Sequence, residues 1–386
     1  MESSIRSALR WAQYDEDHPS STSDIFCRAS QAKQPPGGRK TRGLTLGEKP
    51  GGALTRLMAG PTQAILDGLR ARGDGEIEVA DGVFFEHLMR REFETLRELH
   101  GVSRDAFLTS LAVLEGGATQ QAGKSGSLFW FSGDGAYILK SATKKEVEKL
   151  TSMLPAWIDH VRAASTSGRP CLLPAFFGAY RLRSGTTTLS VVAQNNVFEG
   201  AETPSRVYDL KGTTEDRFVR PRKGNVLKDL NFWGHEICLR DEAQVNRLVA
   251  AADEDSLFLE AQGIMDYSLL LGVYDGSERP RPHPLATYCE GLEVVTGDAY
   301  APAPLFAWPC GQGRRRNLSD EETEEYPAGF RIGIIDVLVE YNLKKKAAHW
   351  LKKSTIGCCQ EIDTEPPDIY QQRFMDCFEE IFVVDA

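Results

Sequence analysis

The chain has 386 residues, 41% of them hydrophobic, ample for a large core in one domain or two lobes. Its formal net charge of -10 argues against nucleic acid as a partner, because a polyanion repels a phosphate backbone. Its 8 cysteines are scattered without a CxxC pair, and adjacent Cys358 and Cys359 suit no ordinary zinc spacing, so reduced thiols of a cytosolic protein are expected.

No signal peptide is visible, and no apolar run nears the roughly 20 residues of a membrane span, so any membrane contact is expected to be peripheral. Residues 1–60 are rich in Ser, Gly, Pro, Arg and Lys, as in Lys33 to Arg42, and read as a disordered arm. Order is expected from about Ile65. Phe84 to Leu99 mixes apolar residues with Arg and Glu and predicts a helix ending before Gly101.

Gly123 to Lys140 reads GKSGSLFWFSGDGAYILK. Its two apolar-aromatic runs flank Gly133-Asp134-Gly135 and predict a β-hairpin. Lys144 to Ala164 predicts a helix that Pro155 kinks or splits. Phe176 to Arg183 and Thr186 to Gln194 predict a second hairpin about Ser184-Gly185, and Val207 to Leu210 a short strand. Asp241 to Gln262 is an amphipathic helix. Asp241 is suited to its start, Val245, Leu248, Val249, Ala252 and Leu259 to its buried stripe, and Gly263 to its end. Ser268 to Tyr274 and Arg331 to Val337 predict strands, with an insertion or long loop over 275–330 between them. Tyr370, Phe374, Phe378 and Phe382, four apart, predict a helix with an aromatic stripe. The whole reads as α+β.

Ala118 to Ser125 (ATQQAGKS) matches a loose phosphate-loop pattern, but a strand follows where that motif needs a helix N-terminus. A hairpin loop over nucleotide phosphates fits better. Gly123 and Gly126 let backbone amides approach, and Lys124, Ser125 and Ser127 add donors. Lys140 then lies on the following strand, where a kinase-like site places its phosphate-binding lysine, and Glu146 on the next helix is placed to pair with it. A solvated lysine ending a strand remains the alternative.

Asp266 falls between a helix stop and the apolar strand Ser268 to Tyr274, and Asp336 ends the apolar run Ile332 to Ile335. A carboxylate in an apolar segment is costly unless paired or metal-bound. Two acids and a lysine are the set that phosphoryl transfer needs: one acid to orient the attacking hydroxyl, one for Mg²⁺, and a lysine on the phosphates of ATP. Each Asp could otherwise cap a turn.

With these motifs in order, the chain resembles the phosphatidylinositol phosphate kinases from roughly Phe93 to Asp385, excluding 275–330. The matching stretches are GKSGSLFWFS, YILK, NNVF (Asn195 to Phe198), YDLKGTTEDR (Tyr208 to Arg217), LKDLNF (Leu227 to Phe232), IMDYSLLLGV (Ile264 to Val273) and IGIIDVL (Ile332 to Leu338). The absence of HRD, DFG and APE stretches separates it from ordinary protein kinases. The resemblance implies a two-lobed phosphoinositide-kinase fold, distantly like protein kinases, with an antiparallel sheet in each lobe and an ATP cleft between. It implies an N-terminal lobe over 61–196 and a C-terminal lobe over 197–386.

Residue by residue, it implies that Lys140 contacts the ATP phosphates and that Asn195, Asn196 and Val197 lie near adenine. Asp266 would orient the inositol hydroxyl and Asp336 would bind Mg²⁺. Asp209 and Lys211 would lie at the active centre, with Lys211 neutralising phosphate, and Arg217 would meet the substrate phosphate. A strand-to-turn transition made by Gly212 is the plain alternative for DLKG.

The segment over about 338–367 corresponds to the family's membrane-facing specificity loop. Lys344, Lys345, Lys346, Lys352 and Lys353 beside Trp350 suit an anionic lipid surface, although lysine runs are also common on solvated faces. Ala348 stands where the 5-kinases usually carry Glu and the 4-kinases Ala, which favours a 5-phosphate substrate. The 5-kinase group is the broader, which favours the 4-phosphate. The expected activity is ATP-dependent phosphorylation of a phosphatidylinositol monophosphate to the 4,5-bisphosphate. A catalytically dead lipid-binding scaffold and a protein serine/threonine kinase are the competing readings. A cytoplasmic protein peripherally bound to the plasma membrane or another anionic membrane is expected, and family members are often dimers.

Overall fold

The computed structural model describes residues 61–71, 75–80, 82–116, 127–198, 203–222, 224–239, 241–275, 327–341 and 365–384. The arm over 1–60, the stretch 276–326 and most of the lysine-rich loop lie outside the described residues, as do Gly123 to Gly126.

The first half builds a seven-stranded sheet in the order β1-β2-β6-β7-β5-β4-β3, antiparallel throughout. Its strands are β1 (Glu76–Ala80), β2 (Val83–Leu88), β3 (Leu114–Gly116), β4 (Phe129–Ser132), β5 (Tyr137–Ala142), β6 (Phe176–Ser184) and β7 (Thr187–Asn195). Helix α1 (Pro61–Arg70) and α3 (Arg104–Leu111) pack on one face, while α2 (Arg90–Leu99) and α4 (Lys144–Ser167) join the core shared with the second half.

The second half holds a four-stranded sheet in the order β12-β11-β8-β9, from β8 (Arg206–Leu210), β9 (Val226–Lys228), β11 (Ser268–Asp275) and β12 (Pro327–Ile335). β8 and β9 run parallel, so this sheet is mixed rather than antiparallel throughout as expected. Helices α5 (Asp229–Phe232), α6 (Glu242–Ala261) and α7 (Pro367–Ile381) belong here, and β10 (Ile237–Leu239) pairs in parallel with β13 (Phe382–Val384).

The hairpins form where turn chemistry allows. Gly135 and Gly185 take positive φ values of 76° and 58°, the left-handed conformation glycine adopts at no steric cost. Val245, Leu248, Ala252 and Leu259 of the stripe on α6 are buried and Val249 is partly buried, and the Asp241 carboxylate accepts the Ala243 N–H at the helix start. Tyr370, Phe374 and Phe378 on α7 are buried as well, while Phe382, the fourth of the predicted helical stripe, is buried on β13.

Three predicted elements differ. Val83–Leu88 is a strand on the edge of β6, not the start of a helix, and Met89 at φ 43° breaks the chain before α2. Helix α4 runs unbroken through Pro155, because Leu150, Met153, Leu154, Trp157 and Ile158 bury its face on both sides of the proline and packing offsets the lost hydrogen bond. β12 begins at Pro327, four residues earlier than the pattern suggested, because β11 continues to Asp275 and supplies the pairing.

Candidate active site

Strand alternation decides which side chains can meet. Side chains two apart on a strand share a face, so Tyr137 and Leu139 join the core under α1 and α3, while Ile138 and Lys140 face the other way. On that side Phe129, Phe131 and Ile138 of the first sheet pack with Val197, Phe198, Val207, Leu270 and Ile335 of the second half. Lys140 stands at the edge of this apolar cluster, with Nζ 5.8 Å from the centre of the Phe129 ring. The Gly-rich segment joins β3 to β4, which pair with Gly116 opposite Trp130. Ser127 is described and is buried.

The four-stranded sheet gathers the acids by topology. β8 and β9 run one way and β11 the other, with β12 antiparallel to β11. The exits of β8, β9 and β12 and the entry to β11 therefore share one end of the sheet. Lys211, Asp229, Asp336 and Asp266 stand at those four positions. The chain before β11 is tied to the chain after β12. Met265 donates its N–H to Val339 O at 3.0 Å and Tyr341 to Gly263 O at 2.9 Å. Tyr370 of α7 donates its hydroxyl to the Tyr267 carbonyl. Asp266 and Asp336 both adopt the left-handed backbone, at φ 67° and 61°. That conformation is several-fold commoner for Asp than for most residues, and strained backbone concentrates at functional sites.

Lys140 Nζ lies 3.2 Å from Asp336 Oδ1, an ion pair joining the two sheets. Lys211 Nζ contacts Asp266 Oδ1 and donates to the Asp266 carbonyl at 2.9 Å. Burial alone would lower the Lys211 ammonium, but the Asp266 and Asp209 charges more than offset it and hold it above its ordinary value. Burial likewise opposes ionisation of Asp209, yet Arg217 and Lys211 hold its carboxyl well below the usual carboxylate range. Arg217 is raised against its own burial by Asp209 and Asp229. Such groups stay charged because each buried charge has a partner.

Two expectations change here. Glu146 does not meet Lys140. Its carboxylate accepts the Thr143 N–H at 2.7 Å while Thr143 Oγ1 accepts the Glu146 N–H at 3.3 Å, a reciprocal cap on α4. Lys140 pairs with Asp336 instead. Arg217 is turned inward. It is 7% exposed, with Nε on Asp229 at 2.6 Å and Nη2 on Asp209 at 2.9 Å, which leaves it holding the turn rather than reaching a substrate phosphate.

The Asn195 side chain accepts the Ala175 N–H, and Asn196 bridges the Gly135 carbonyl and the Phe198 N–H. These contacts tie the chain entering the second half to Ala175 and to the β4–β5 turn, and Val197 beside them is buried. Lys344, Lys345, Lys346, Ala348, Lys352 and Lys353 lie outside the described residues.

Asp229 escaped the sequence reading. In LKDLNF an Asp opening a four-residue helix looks like an ordinary helix start. A second cluster was also missed. His160, Cys171 and Asp255 offer ligand atoms within 4.8 Å of one another. Arg169 fills that place as the cation, with Nη1 2.9 Å from Asp255 Oδ1.

The family model described as Phosphatidylinositol-4-phosphate 5-Kinase matches residues 117–297 and 306–381. A probable phosphatidylinositol phosphate kinase of Dictyostelium discoideum is 29% identical over 345 residues, covering 76% of this chain and 47% of the relative. The mouse phosphatidylinositol 4-phosphate 5-kinase type-1 beta is 30% identical over 307 residues, covering 73% of this chain and 55% of the relative. The rat phosphatidylinositol 5-phosphate 4-kinase type-2 alpha is 29% identical over 308 residues, covering 74% of each. The chain thus spans about half the length of the first two.

Proposed function

This chain belongs to the phosphatidylinositol phosphate kinase family, and from that premise we propose that it is an ATP-dependent lipid kinase acting on a phosphatidylinositol monophosphate. One observation carries the reading: Lys211, Asp266 and Asp336 stand at one end of a sheet together, and Lys140 reaches Asp336 from the other sheet. We place ATP in a cleft between two lobes, 61–196 and 197–386, in the manner of a distant protein-kinase relative.

The apolar cluster around Phe129, Phe198 and Leu270 would pack against adenine, and Lys140 would hold the phosphates. Asp266 would orient the inositol hydroxyl and take its proton, and Lys211 would neutralise charge beside it. A carboxylate supplies the hard oxygen donors that Mg²⁺ takes, and the Asp336 side chain is 22% exposed beside the phosphate lysine. The donor set therefore fits, and Asp336 would hold the ion. When bound, Mg²⁺ supplies charge neutralisation on the phosphates.

The 4-phosphate is favoured as substrate by the breadth of the 5-kinase group. Ala348 supports the alternative, a 5-phosphate 4-kinase, and relatives of both names match at 29–30% identity. The deciding experiment offers vesicles of each monophosphate with Mg²⁺-ATP and identifies the product, then repeats with Ala348→Glu. Turnover of one lipid alone names the substrate. Vesicle binding without turnover of either would overturn the kinase reading in favour of a scaffold, and phosphorylation of peptides without lipid would favour a protein kinase.

Peripheral contact with an anionic membrane is part of the proposal. No described helix is long and apolar enough to cross a bilayer. Phe218 at 51% and Leu230 at 36% exposure adjoin Arg217 and Asp229 at the catalytic end, and Arg220 is exposed beside them. With the lysines of 344–353, each worth about 1 kcal/mol near an anionic surface, they would make activity on vesicles fall as salt rises.

A further inference from the structure

We propose that Asp229 is a positioning residue of the phosphoryl-transfer site, fixing the Asp209–Gly212 turn so that Lys211 is aimed at Asp266. The inference rests on the kinase reading above.

Asp229 follows β9, whose Lys228 stands opposite Asp209 in the parallel ladder. One of its carboxylate oxygens accepts the backbone N–H groups of Lys211 at 2.8 Å and Gly212 at 2.7 Å. The other accepts Arg217 Nε at 2.6 Å. Arg217 Nη2 returns to Asp209 Oδ1 at 2.9 Å and to the Asp209 carbonyl. The ring closes through one carboxylate, one guanidinium and a second carboxylate, and it grips the turn on both sides of Leu210.

Favouring the positive end of its own helix is the ordinary task of an Asp in the first turn, where Lys228 is the N-cap. Asp229 accepts amides from the end of another strand. Its side chain is 10% exposed, and that of Asp209 is 2% exposed. Buried charges in such a ring hold geometry because removing one leaves the others uncompensated.

The consequence falls on Lys211. Its backbone N–H is held by Asp229 and its Nζ by Asp266. A rotation of the turn would carry the ammonium off Asp266, and a displacement of about 1 Å in a positioned group costs roughly 100-fold in rate.

The test uses the full chain as wild type, Asp229→Ala and Asp229→Asn. Lysine amines are pulse-labelled with acetic anhydride across a pH series, and modification of Lys211 is read by mass spectrometry. Asp229→Ala should label Lys211 several-fold faster at a given pH, because its Nζ leaves the Asp266 carboxylate that holds it charged. In steady-state assays with Mg²⁺-ATP and vesicles of each monophosphate, kcat should fall roughly 100-fold while KM for ATP stays within about twofold. Asp229→Asn keeps an oxygen for the two amides but loses its charge toward Arg217, and should fall between the two.

Unchanged Lys211 labelling, or a raised KM for ATP with kcat intact, would overturn the proposal. If wild type phosphorylates neither lipid, the kinase reading fails, while the labelling still decides whether Asp229 aims Lys211. If Asp229→Ala does not fold, as near-ultraviolet circular dichroism would show, Asp229→Asn decides. Faster labelling in that folded variant supports the proposal, and wild-type labelling overturns it.

Discussion

Lys140 Nζ and Asp336 Oδ1 lie 3.2 Å apart, although one residue is on β5 of the seven-stranded sheet and the other follows β12 of the four-stranded sheet. Both side chains keep some exposure, at 15% and 22%, so the pair is accessible to ligand while still joining the two sheets. Asp336→Asn should abolish turnover with a stability change within about 1 kcal/mol, because Asn also tolerates the left-handed backbone and a partly exposed pair contributes little. Single-turnover kinetics and urea unfolding check both halves. A variant retaining more than a few per cent of the wild-type rate would remove Asp336 from the metal role.

Gly212 sits at φ 70°, and a Cβ there would meet the Arg373 carbonyl oxygen at 2.7 Å and Cys377 Cβ at 3.0 Å. Gly212→Ala is therefore expected to destabilise by at least about 1–2 kcal/mol from the backbone conformation alone, and further from the contact with α7. A lower unfolding midpoint with reduced turnover is the outcome to look for. An unchanged midpoint would refute both the backbone cost and the contact with α7 at this turn.

Asp255 is fully buried and joins α6 to the connection between α4 and β6. It contacts His160 Nε2 at 2.6 Å and Arg169 Nη1 at 2.9 Å, and it accepts the Leu172 N–H. Asp255→Ala leaves the largely buried Arg169 without its inner partner and should cost about 3–5 kcal/mol. Denaturant unfolding measures it. A loss below about 1 kcal/mol would show that Glu254, 2.7 Å from Arg169 Nε, suffices.

Acid should begin to destabilise the fold above the usual carboxylate range. Burial depresses His87 to about 3, and His100 and His235 to about 4, from 6.5. The charges of Arg97 and Arg90 add to the effect at His87, and that of Arg206 at His235. Between pH 6.5 and 4 the unfolded chain binds more protons than the folded one. Stability is thus complete above 6.5 and falls as pH drops through that window, by roughly 3 kcal/mol or more. Unfolding free energy measured by urea from pH 7 to 4 tests this. His87→Phe, which keeps an aromatic ring beside Phe93 and Tyr180, should flatten the slope.

Local pattern was enough to read both hairpins, the capped helix α6, the aromatic stripe of α7 and the strands flanking Asp266 and Asp336. These depend on turn residues and on the period of burial, which neighbours in the chain carry. Lys140, Asp266 and Asp336 were legible because a charged residue among apolar ones is conspicuous in a linear string. The partners of Glu146, Arg217 and Asp229 were not legible, since each has two physically sensible partners and the chain does not say which one lies near.

Only the tertiary structure decided those pairings. The parallel placement of β9 beside β8 sets Asp229 under the Lys211 amide and turns Arg217 inward, and the meeting of two sheets pairs Lys140 with Asp336 while Glu146 closes its own helix. Sequence alone determined which groups are costly to bury. Which opposite charge relieves that cost depends on contacts between strands far apart in the chain.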